Sequence, residues 1–270
     1  MVSTASIVSM AIFGVWCLGI PIVSFIVLKR TGKFPIKSIL IGAITFIVFS
    51  QVLEKLLNVY IYQINPTTKE WMKNAWLFAT FGALMAGLFE EVGRYFSLKV
   101  LLRNYHERKD GLAYGLGHGG IESIVIGTLS VVNYLIYSVW INAGTFEQQV
   151  GGKLPASTVE GLKHQLLTTP WYSYDLGILD RTFGFLIQLA LSLFVLMGIQ
   201  KGRKGVLGMA ILLHALVDFP AGLYQAHKLP LIVTELFVAI VAVIAVWFIK
   251  KSKNLFSSHK ALNDSIETDM

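Results

Sequence analysis

Seven stretches of this chain are apolar over the length that crosses a bilayer, and they constrain its folding more than any other feature. A helix needs about 20 predominantly apolar residues to span the hydrocarbon core. The stretches are residues 3–28, 36–61, 75–96, 112–141, 183–199, 206–223 and 231–249. Composition agrees: 54% of residues are hydrophobic and 14% charged, with a mean hydropathy of +0.63, against about 25% charged in a soluble domain. The expected fold is all-α, a polytopic integral membrane protein of about seven transmembrane helices. Residues 1–253 form one seven-span domain with a core at about 75–223, and residues 254–270 form a flexible cytoplasmic tail. The first stretch has no positive n-region and no Ala-x-Ala site after it, so it is expected to stay as a span.

Charge gives direction. One set of alternate loops and ends carries fifteen Lys and Arg residues and the other set six, while Lys55 and Arg94 fall within spans. Basic residues mark cytoplasmic loops, so the N-terminus is expected outside and the C-terminus in the cytoplasm, in a multi-pass cell membrane protein. The net charge of +7 and pI of about 9.4 do not indicate nucleic acid, because the basic residues flank spans and form no separate basic domain. The single Cys17 excludes an intrachain disulfide and a cysteine zinc site; it reads as a lipid-facing or packing residue. The longest loop, residues 142–180, lies outside and holds either a short amphipathic helix near 158–167 or a lid.

Within these spans, three groups of ionisable residues stand out. Glu90-Glu91-Val92-Gly93-Arg94 lies in the third, Gly117-His118-Gly119-Gly120-Ile121-Glu122 in the fourth and His214-Ala215-Leu216-Val217-Asp218 in the sixth. Each charge at membrane depth costs a few kcal/mol or more, so such groups face a protein interior and mark function. Arg94 stands at i,i+4 from Glu90, a natural helical pair, which leaves one carboxylate over. His118 and Glu122, and likewise His214 and Asp218, share a helical stripe at the same spacing. The glycines around His118 let another helix approach closely, and Pro220 is expected to kink the end of the sixth span. Alone, each group also suits a structural role: a buried ion pair, a glycine packing patch, a His–Asp hydrogen bond. On three spans together they suit one water-accessible cavity. Gln51, Glu54 and Lys55 of the second span could line it; the alternative for Glu54 and Lys55, near the outer end of that span, is an interfacial place.

Carboxylates beside imidazoles suit hydrolysis, with water polarised by a carboxylate or on a metal. A zinc ion on two histidines and one carboxylate with an open fourth position fits this inventory; His118, His214 and Glu91 are the expected ligands. The chain lacks His-Glu-x-x-His, Gly-x-Ser-x-Gly and Gly-x-Gly-Asp, which removes the hydrolase classes those motifs define.

Across about residues 75–220 the three motifs resemble those of the CAAX-prenyl-protease-type intramembrane metalloproteases, including PrsW and, most closely, the bacterial YhfC family; the APH subunit of γ-secretase is similar as well. The resemblance implies a catalytic set of Glu90, Glu91, Arg94, His118, Glu122, His214 and Asp218, with Glu90 as the water-activating carboxylate. His214 and Asp218 are then ligands in a metal mechanism and oxyanion support in a metal-free one. Glu-Glu-x-x-Arg has one residue fewer than the CAAX pattern and is closer to PrsW, so the division of roles between Glu90 and Glu91 stays open. The implied activity is an intramembrane endopeptidase of a bacterial plasma membrane, acting on a membrane protein or peptide substrate. The alternatives are a non-catalytic scaffold or receptor for partner transmembrane helices and a small transporter, the latter disfavoured by the absence of broken-helix repeats.

Overall fold

The computed structural model describes residues 1–30 and 34–268, with side chains as far as Phe256. It consists of helices α1 (Thr4–Arg30), α2 (Ile36–Ile64), α3 (Pro66–Trp71), α4 (Ala75–Leu101), α5 (Arg108–Asn142), α6 (Phe146–Val150), α7 (Ala156–Thr168), α8 (Trp171–Gln200), α9 (Val206–Gln225) and α10 (Leu231–Thr268). Among the described residues there is no strand. Seven helices (α1, α2, α4, α5, α8, α9 and α10) are long and apolar enough to cross a membrane. The chain is an all-α, multi-pass membrane protein. Leu56, Leu212 and Val243 are exposed on these helices, as a lipid-facing surface requires.

Two boundaries differ most from the sequence expectation. The fifth span begins at Trp171 instead of residue 183, directly after Pro170, a residue that tolerates a helix start because it lacks an N–H. Asp180 and Arg181 therefore lie inside the helix. Their charges do not end it, because Arg181 bonds Asp180 at 2.6 Å and Glu122 at 3.4 Å. The outer loop holds two short helices, and the stretch 158–167 falls within α7. At the far end, α10 continues to Thr268 through residues whose composition points to a flexible tail. A helix already formed by an apolar span needs no new nucleation to extend. One of the counted lysines, Lys33, and the last two residues of the tail lie outside the described residues.

Two compact units share the chain. The first comprises Met1–Val23 and Glu122–Thr182, the second Ser24–Ile121 and Phe183–Met270. In the first, Met10, Val131, Leu166 and Tyr174 form the buried core. Cys17 is a packing residue there: it is buried against Gly127, and its carbonyl accepts from the Ser123 hydroxyl at 3.0 Å. On the connecting helices, Lys163 pairs with Glu147 and holds its carboxyl below the usual range.

The second unit is built on backbone-close helix crossings. α9 lies along α4, where a Cβ added at Gly87 would stand 2.8 Å from the Ile211 carbonyl oxygen and one at Gly222 2.8 Å from Ala79 Cα. α2 crosses α5 with Gly42 against the Tyr114 carbonyl and Gly117 against that of Ile39. On the other side of α5, Gly115 faces Leu189 and Ser192 of α8, and Gly119 faces Gln188. Small residues serve this purpose in membranes, where helices associate through close packing without a hydrophobic drive. The run from Leu112 to Gly120 is consequently buried throughout. α2 also contains π-helical turns at Ile47–Glu54 and Tyr60–Ile64, and α9 runs through Pro220 to Gln225.

Candidate active site

The site grows from one stripe of α4. Asn74 caps the helix start, its side-chain oxygen accepting from the Trp76 and Leu77 amides at 3.0 and 3.2 Å. Ala79, Ala83 and Gly87 then recur every four residues on the buried face, and Glu90, Glu91 and Arg94 extend it. The small residues bring α9 against α4, so that His214 is carried in beside the two carboxylates. α5 brings His118 from another side, between the glycines that let α2 and α8 approach.

Glu90 is at the centre. Its Oε2 lies 2.9 Å from His118 Nε2, 3.8 Å from His214 Nε2 and accepts from Gln188 Nε2 at 3.0 Å. Glu91 has a different set of partners. One of its oxygens accepts from Arg94 Nε at 2.9 Å and the other from His214 Nδ1 at 2.8 Å. The ion pair therefore forms at i,i+3 with Glu91, not at i,i+4 with Glu90. The reason is where Arg94 is held: its guanidinium also donates to the Gln188 carbonyl at 3.3 Å, to the Gln188 side-chain oxygen and to the Ser192 hydroxyl, and stands 5.9 Å from the Tyr114 ring centroid. Arg94, Glu91 and His118 are all fully buried.

His214 shows what the cluster can hold. Glu91, paired with Arg94, is a carboxylate and can only accept, so the His214 proton is on Nδ1. Its Nε2 lone pair then faces Glu90 Oε2 at 3.8 Å and Asp218 Oδ2 at 3.4 Å. A lone pair against two carboxylate oxygens is repulsive unless a proton or a metal ion stands between them. Three carboxylates, those of Glu90, Glu91 and Asp218, thus stand around two imidazoles and one guanidinium.

The donor types, imidazole nitrogens and carboxylate oxygens, suit a divalent metal ion such as zinc. Glu91 on Nδ1 gives His214 the outer carboxylate that orients a metal-bound imidazole. Among the described residues the buried Nδ1 of His118 has no hydrogen-bond partner.

Of the residues singled out in the sequence, Glu90, Glu91, Arg94, His118, His214 and Asp218 come together in the second unit. Glu122 keeps its place one turn after His118 on α5, and its carboxylate pairs with Arg181 at 3.4 Å. Sequence reasoning misses Gln188 and Ser192. The two are visible as a polar pair at i,i+4 in an otherwise apolar span.

Over 257 residues the chain is 39% identical to "Uncharacterized membrane protein YhfC" of Bacillus subtilis (strain 168), covering 95% of this chain and all of that protein. No solved structure matches. The family model described as YhfC intramembrane metalloprotease matches residues 16–239, which contain every residue of the cluster. The chain belongs to the YhfC intramembrane metalloprotease family.

Proposed function

We propose that this protein is an intramembrane endopeptidase of a bacterial plasma membrane, hydrolysing a peptide bond of a membrane-embedded substrate. The observation that carries this reading is the single Glu90 oxygen facing the Nε2 atoms of His118 and His214. These three residues would hold zinc, which supplies a water of lowered pKa and polarises the scissile carbonyl.

The remaining residues have distinct tasks. Asp218, with its side chain 37% exposed, is the carboxylate open to an incoming substrate and takes the proton from the water. Glu91 fixes the tautomer and orientation of His214. Arg94 keeps Glu91 ionised and orients Gln188, whose amide N–H holds the Glu90 carboxylate in place. Glu90 thus activates water as a ligand, and Glu91, with both oxygens engaged, acts from the second layer. On this reading the excess of basic residues puts the C-terminus in the cytoplasm.

The test combines metal content and products. Purified wild-type protein should carry about one zinc per chain by elemental analysis, and Glu90→Gln and His118→Ala/His214→Ala should lose most of it. Comparing protein N-termini from membranes of cells expressing wild type or Glu90→Gln should reveal peptides made only by the wild type. Absence of zinc from all three proteins, together with identical N-termini, would leave a non-catalytic scaffold as the better description.

A further inference from the structure

A cavity of about 190 Å³ opens where α8 ends and α9 begins. Its walls are apolar, formed chiefly by Phe194, Met197, Val206 and Met209, while Lys201 and Arg203 stand at its rim. Lys204 follows in the same exposed turn. No Asp or Glu occurs between Asp180 and Asp218, and among the described residues none of the three cations has an ion-pair partner. The turn joins two membrane-crossing helices, so it lies at headgroup depth, on the side that the basic residues assign to the cytoplasm.

We propose that this groove is a binding site for an anionic phospholipid, with its phosphate among Lys201, Arg203 and Lys204 and an acyl chain against Phe194, Met197 and Met209. The two halves of the groove match the two halves of such a molecule, an anion joined to a hydrocarbon. A soluble anion would find the cations but leave the apolar walls uncovered, and a zwitterionic lipid would fill the walls without matching the charge. Basic pockets between transmembrane helices bind anionic headgroups on this principle, each Lys or Arg near the surface favouring association by about fivefold. None of the groove residues belongs to the Glu90 cluster, and the proposal does not depend on the protease reading.

The experiment uses the full chain in a non-ionic detergent with equal amounts of phosphatidylglycerol and phosphatidylcholine, and counts retained lipids by mass spectrometry of the intact complex. Wild type should retain phosphatidylglycerol preferentially. Lys201→Gln/Arg203→Gln/Lys204→Gln should lower that preference at least tenfold, in line with the fivefold per cation. Met209→Trp, which fills the groove but keeps every cation, should reduce retention of bound lipid as a whole. Lys250→Gln/Lys251→Gln/Lys253→Gln removes an equal charge from the basic stretch of α10 and should leave the preference in place; thermal unfolding of all variants checks that they fold. The proposal fails if wild type shows no preference, if the triple variant at the turn keeps it, or if the α10 variant loses it equally. Undiminished lipid retention by Met209→Trp would also overturn it, by showing attraction to the charges without use of the groove.

Discussion

Arg94 carries donors and no acceptor, and that alone settles how Gln188 must lie. The amide oxygen of Gln188 has to face the guanidinium, which turns its NH₂ towards Glu90, where the contact is 3.0 Å. One buried cation thereby orients Glu91 directly and Glu90 through an intermediary. Removing a single partner of a buried pair leaves the other charge uncompensated, at about 3–5 kcal/mol. Arg94→Met should therefore lower thermal stability in detergent by about that amount, while Glu91→Leu/Arg94→Met should recover much of it and still lack metal. An Arg94→Met protein as stable as wild type would show that the pair is not buried. Spacing alone pairs Arg94 with Glu90, because i,i+4 is the usual helical partner. The choice of i,i+3 depends on Gln188 and Ser192 of α8, and no local spacing encodes a contact 94 residues away.

At the scale of elements, glycines decide which helices touch. Gly117 faces the backbone of Ile39 so closely that any side chain would force α2 away from α5. Over-packing costs roughly 1–3 kcal/mol even where some relaxation is possible, so Gly117→Leu should depress the melting temperature clearly and move His118. A Gly117→Leu protein that melts with the wild type would mean that α2 and α5 do not meet there. The glycine-rich patch is legible as a place of close approach, but its partner helices are not. Glu54 is harder still. It ends the π-helical stretch Ile47–Glu54, where a straight α-helical projection does not give the facing of a side chain.

For the whole molecule, the apolar runs make the seven spans legible, and the start of α8 and the length of α10 depart from them most. Self-paired charges and helix propagation explain those departures, and neither shows in a hydropathy profile. Orientation rests on the basic residues and can be checked with the chain's single cysteine removed. In a Cys17→Ser background, a membrane-impermeant maleimide added to intact cells should label a cysteine at Lys153 and spare one at Lys109. Labelling of both, or of Lys109 alone, would overturn the assigned direction. The Gly87 crossing has a consequence for traffic to the carboxylates. Because it locks two helices together at van der Waals range beside His214, that flank is shut to a bulky guest. Of the three carboxylates, Asp218 is the most uncovered, its side chain 37% exposed, so on the proposed reading the approach to Glu90 passes beside it.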